Sequence, residues 1–172
     1  MLGNGFTGMA ISGDQEKQVY YLALNDFCRL KFLLNESFPA VLGKLEIIIP
    51  ELKGASFQIE QSLYDAKTHS LFGKDGEEVR FESYVSADED LAVIKISYSG
   101  EKALQGSVDL KLPGLEEFVD NPPEDRIFPS DTDKGNTPDG IYDILIAFNE
   151  EVDIPAEATA AFTVLDNFSN DF

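Results

Sequence analysis

Lys74-Asp75-Gly76, followed shortly by Val79-Arg80-Phe81-Glu82-Ser83-Tyr84-Val85, carries the reading of the fold. Asp-Gly tolerates positive φ at adjacent positions and closes tight hairpins. Beyond it, Val79, Phe81 and Val85 alternate with Arg80, Glu82 and Tyr84, the period of a strand with one wet face. Upstream, Phe57, Ile59 and Leu63 share one side, with Gln58, Glu60 and Ser62 on the other. Downstream, Leu104, Val108, Leu110 and Leu112 alternate with Gln105, Ser107, Asp109 and Lys111. Four segments are apolar on both sides: Val19 to Leu24, Leu45 to Ile49, Leu91 to Ile96 and Ile144 to Phe148. They are expected to be central strands or strands covered on both faces. Phe162, Val164 and Leu165 suggest a last strand. Gly13-Asp14 marks an earlier turn, and Ser99-Gly100 reads as a second hairpin signal. Strands recurring about every ten residues predict an all-β, antiparallel sandwich or barrel. Only Leu115 to Val119 offers even one helical turn.

The 172 residues are expected to form a single domain over 1–172, with 43% apolar residues to build its core. A chain of this size buries about 70% of the surface its unfolded form exposes, so it needs no staples. Its one cysteine, Cys28, sits among Phe27, Leu30 and Phe32 and reads as a buried inert thiol. The segment Asp120 to Gly140 holds four prolines, two glycines and five aspartates, the composition of a long loop at about 120–140. The formal charge of −19 and the scatter of 13 basic residues argue against nucleic acid and against anionic membranes. No stretch approaches the roughly 20 apolar residues of a membrane span. No charged and apolar leader precedes the glycines that begin at residue 3. A chain that natively starts at Met1 is therefore expected in the cytoplasm, whereas an excerpt of a longer one carries no such implication.

Catalytic patterns are scarce. His69 is the only histidine and reads as a surface or turn residue; no Gly-x-Ser-x-Gly elbow supports a triad, and zinc sites built from His and Cys are not available. Asp88-Glu89-Asp90 reads as a solvated turn between two strands, although paired carboxylates are the requirement of glycoside hydrolysis. Asp131-x-Asp133-x-Gly135 with Asp139-Gly140 has the oxygen-rich, glycine-bent look of a calcium loop, yet Tyr142 stands where an EF-hand wants Glu. A polar surface loop is the preferred reading, with calcium at Asp131, Asp133 and Asp139 the alternative. Tyr20, Tyr21, Tyr64 and Tyr84 are placed in strands, mostly as packing residues.

Two stretches stand apart. Leu2-Gly3-Asn4-Gly5-Phe6-Thr7-Gly8 describes a tight loop whose backbone takes positive φ or approaches something closely. Asn25-Asp26-Phe27 ends the strand that follows. Together they can build one wall of a cleft. The Leu-Gly-Asn-Gly-x-x-Gly opening and the later Asn-Asp-Phe resemble the N-terminal β-domain of six-hairpin glycosidases, especially the glycoside hydrolase family 95 type. Ser83-Tyr84-Val85-Ser86, Asp90-Leu91-Ala92-Val93-Ile94 and the strand from Gly106 to Leu112 fit such domains in order. Cys28 stands where the family usually has Trp. The resemblance spans about residues 2 to 165.

It implies a supersandwich, a galactose-mutarotase-like antiparallel β-sandwich, and a missing partner, because the family's catalytic carboxylates lie on a following (α/α)6 barrel. On that reading the chain is a non-catalytic accessory domain. Asn4, Gly5, Asn25, Asp26 and Phe27 would serve ligand binding or docking at the barrel-facing edge, no residue is catalytic, and an exposed apolar face would favour homodimers. A free-standing carbohydrate-binding module, with or without calcium, is the alternative. A mutarotase-like enzyme is a third reading, and would need His69 in a deep cleft facing a glutamate.

Overall fold

The computed structural model describes residues 1–31, 36–111, 129–136, 142–148 and 157–163. Within them the chain is all-β and antiparallel. One sheet has the order β1-β2-β3-β4-β9, built from β1 (Leu2–Gly3), β2 (Thr7–Gly13), β3 (Lys17–Lys31), β4 (Glu36–Ile48) and β9 (Ser107–Lys111). A second has the order β5-β6-β7-β8, from β5 (Ser56–Ser62), β6 (Lys67–Lys74), β7 (Glu77–Val85) and β8 (Ala92–Tyr98). The two pack as a sandwich. A third sheet joins β10 (Pro129–Asn136), β11 (Tyr142–Phe148) and β12 (Glu157–Phe162). It meets the first sheet, β12 against β4 and β11 against β9.

The Asp-Gly hairpin forms as expected. Lys74 pairs with Glu77, and the intervening Asp75 and Gly76 take φ of 53° and 88°. Both central residues at positive φ give the turn whose twist matches the flanking strands. Alternation then places Val79, Phe81 and Ser83 inward, all buried, with Arg80, Glu82 and Tyr84 outward. The core runs between the sheets. Leu2, Met9, Tyr20 and Ile47 from the first meet Phe72, Val79 and Phe81 from the second, and Phe72 and Phe81 pack edge to face at 5.6 Å. Tyr20 is fully buried; the Ser83 hydroxyl donates to its oxygen across the sandwich at 3.4 Å. Burial pushes the Tyr20 phenol above its ordinary value, against the opposing pull of that hydrogen bond.

One 3-10 turn, Pro50–Leu52, carries the chain from the first sheet to the second, with its proline at the start and Leu52 buried beneath. The Lys74 ammonium clamps it by donating to the Glu51 and Lys53 carbonyls, each at 2.8 Å.

Several expectations shift. Leu91 to Ile96 supplies β8, an edge strand of the second sheet rather than a central one, and Leu91 and Ile96 are exposed. An apolar run reports burial potential, and its place in a sheet is decided by connectivity. Ser99-Gly100 closes no hairpin; the chain leaves β8 there and crosses to β9 in the other sheet. Leu63 and Tyr64 lie in the β5–β6 turn, not in a strand, and Leu104 precedes β9. Of the 120–140 segment read as a loop, residues 129–136 are the strand β10, and the remainder lies outside the described residues. So do Leu115 to Val119, Leu112, Val164 and Leu165.

Candidate functional site

The two stretches singled out in the sequence come together at one end of the sandwich. Asn4 opens the β1–β2 connection, and its side chain is fully engaged. Its Oδ1 accepts from the Phe6 and Thr7 amides at 2.9 and 2.8 Å. Its Nδ2 donates to the carbonyls of Ser86, at 2.8 Å, and Glu89, at 3.2 Å, in the β7–β8 loop. Two donors and an acceptor taking two bonds exhaust what an Asn amide can do. Alongside, the Thr7 hydroxyl donates to Asp90 at 2.7 Å. Asn4 is thus a brace between the two sheets, which leaves it nothing for a ligand. Gly5 takes φ of 97° in open space, as the glycine pattern predicts.

Asn25, Asp26 and Phe27 sit where β3 bulges. Ala23 pairs with Val41 and Cys28 with Pro39, so four residues of β3 face a single residue of β4. Such a bulge bends the strand and re-aims its side chains. The Asn25 amide donates to the Phe6 carbonyl at 2.7 Å, which seats the bulge on the glycine loop. Asn25 and Asp26 are exposed, whereas Phe27 is buried. The rim therefore comprises the glycine loop, the bulge and the 86–91 loop. It presents Phe6, 65% exposed, and Leu91, 47% exposed, among exposed carboxylates at Asp26, Asp88 and Glu89. Asp88-Glu89-Asp90 is the solvated turn that its composition suggests.

The other candidates lie elsewhere. Asp131 and Asp133 belong to β10, paired with Ala147 and Leu145, and Asp139 lies outside the described residues. No group of three or more metal-ligating side chains occurs among the described residues. His69 stands on the open outer face of β6, with Nδ1 3.8 Å from a Glu82 oxygen. Lys67 also meets Glu82, at 3.0 Å, and lies over the Tyr84 ring. That hydrogen bond holds the Glu82 carboxyl below its usual range, against partial desolvation. Among the described residues, this exposed sheet face forms no deep cleft of the kind that acid–base chemistry at His69 requires.

One cluster escaped the sequence reading. Glu46 on β4 is buried at the outer face of the first sheet, and three ammonium groups surround it. Lys17 from β3 is at 2.8 Å, Lys44 at 3.2 Å and Lys111 from β9 at 2.6 Å. Burial alone would raise the Glu46 carboxyl. The hydrogen bonds from Lys111, Lys17 and Lys44 outweigh it and hold the group at about 2. The available signal was a lone acid inside the apolar run Leu45-Glu46-Ile47, two residues after Lys44. Its role is structural: it ties the three adjacent strands β3, β4 and β9 together.

No family model matches the chain, and no curated protein matches it in sequence.

Proposed function

We propose that the chain works as a non-catalytic docking module, an accessory β-sandwich that holds a partner against its loop end. One observation carries this reading. The glycine loop, the β3 bulge and the 86–91 loop are cross-tied by hydrogen bonds, and this braced rim offers Phe6 and Leu91 to solvent. An exposed aromatic on a rigid support loses little freedom on binding, which favours it as an interface anchor. The resemblance to six-hairpin glycosidases supplies the partner class, an (α/α)6 catalytic barrel. A second reading, a free-standing carbohydrate-binding module, draws on Tyr64, whose ring stands 98% exposed in the β5–β6 turn and is available for stacking on a sugar.

Titration of the full chain with a purified (α/α)6 barrel domain of a six-hairpin glycosidase should give saturable binding, weakened about tenfold or more by Phe6→Asp. The same chain should retain no oligosaccharide in a glycan screen. Sugar binding that disappears in Tyr64→Ala, with no affinity for the barrel, would replace the docking reading with the second one. Binding to neither would sink both.

A further inference from the structure

We propose that β5 is a self-association edge, through which two copies of the chain join their four-stranded sheets about a two-fold axis at Ile59. The first ground is the state of the strand. Exposed sheet edges are normally blunted by lysine, proline, a bulge or shortness. In the sandwich, β1 has two residues, β9 ends in Lys111 and β8 carries Lys95 at its centre. The seven residues of β5 contain neither lysine nor proline and keep an unbroken register with β6.

The second ground is an unpaired apolar face. Phe57 and Ile59 pair with Phe72 and Ser70, which are buried, so all four face inward. Yet Phe57 and Ile59 are 58% and 51% exposed. The opposing sheet covers this end thinly: its edge strand β1 packs mainly against β7, and Gln61 reaches toward it by donating to the Met1 carbonyl at 2.8 Å, while Phe57 and Ile59 stay exposed.

The third ground identifies the occupant. Ser56-Phe57-Gln58-Ile59-Glu60-Gln61-Ser62 can pair antiparallel with its own copy about Ile59 without setting like charges against each other. Antiparallel self-pairing there sets Ile59 against Ile59, Phe57 against Gln61 and Ser56 against Ser62. The one charged residue, Glu60, falls opposite Gln58, whose amide can donate to its carboxylate. No like charges are opposed, in a chain whose net charge of −19 otherwise keeps copies apart. A two-fold interface needs this self-complementarity, and a foreign strand does not.

Sedimentation equilibrium of the full chain tests the idea at about 50 and about 500 mM salt, where screening differs severalfold. A reversible dimer that tightens with salt is expected. Gln58→Lys creates two Lys–Glu60 pairs in the two-fold register and should tighten it about tenfold; Gln58→Glu should loosen it comparably. Ile59→Lys should leave a monomer with an unchanged circular dichroism spectrum, since the site is exposed. A monomer at every concentration and salt overturns the proposal. So does a dimer indifferent to all three substitutions, or one that the two Gln58 variants move in the same direction.

Discussion

At the scale of single residues, the glycines show how differently one amino acid is used. Gly13 has φ of 117°, and a Cβ there would lie 2.1 Å from the Lys17 carbonyl oxygen, a backbone atom that cannot move aside without breaking the β2–β3 turn. Gly5 has φ of 97° but meets nothing within 4 Å. Gly3 keeps an ordinary φ, and its Cβ would lie 2.9 Å from the Thr7 carbonyl oxygen. Gly13→Ala therefore adds a backbone clash to conformational strain and should cost more than about 2 kcal/mol, whereas Gly5→Ala should cost about 1 kcal/mol. Urea unfolding of both variants checks the ordering, and equal costs would contradict the turn geometry. The glycine-rich opening was legible as a strained loop because positive φ and close approach are local properties. The stronger demand at Gly13 was visible only as a turn, because the obstructing oxygen approaches once β2 and β3 have paired.

At the scale of elements, local chemistry and connectivity divide the outcome. The Asp75-Gly76 hairpin and the central places of β3 and β4 followed from turn residues and apolar runs. The edge position of β8 did not, because the choice between pairing onward and crossing to the other sheet is made by partners distant in the chain. The same holds for the candidate site. Asn4 and Asn25 stood out as polar residues at a loop and an expected strand end; the strand instead runs on through a bulge to Lys31, and it is the Asn25 backbone amide that meets the glycine loop, at Phe6. The identity of Asn4 as a brace depends on the Ser86 and Glu89 carbonyls, more than eighty residues away. Asn4→Ala should remove these ties at a cost of about 1–2 kcal/mol. The 86–91 loop closes on itself through a 2.8 Å bond from the Ser86 amide to the Leu91 carbonyl. Hydrogen exchange at that amide should accelerate about 5- to 30-fold in the variant, with β3 and β4 unchanged. Asn4→Asp keeps the acceptor and loses the donors, so it should fall between. Uniform acceleration through every strand would mean that Asn4 supports global stability and not this junction.

At the scale of the molecule, the excess of acidic residues sets the frame for one buried carboxylate. The charge of −19 was plain from composition, whereas Glu46 drew no notice, because Lys17, Lys44 and Lys111 converge on it only when β3, β4 and β9 lie side by side. Its folded-state pKa of about 2 is depressed from an ordinary 4.5. The stabilisation this represents is complete above pH 4.5 and is lost as pH falls through 2, because the unfolded chain then binds the proton first. The rest of the acidic surface acts in the opposite sense over the same range: protonating exposed carboxylates relieves self-repulsion. Wild type should hold its stability on mild acidification and then drop steeply below pH 4.5. Glu46→Gln leaves three ammonium groups around an amide and should cost about 3 kcal/mol near neutrality, the low end for a broken buried pair, since Lys17 and Lys111 can turn toward water. Below pH 4.5 its stability should fall less steeply than that of wild type, and the two curves should converge near pH 2. Thermal melts across pH 2 to 7 measure both slopes. Parallel curves would show that Glu46 does not titrate in folding and that its three lysines stabilise the outer face by packing alone.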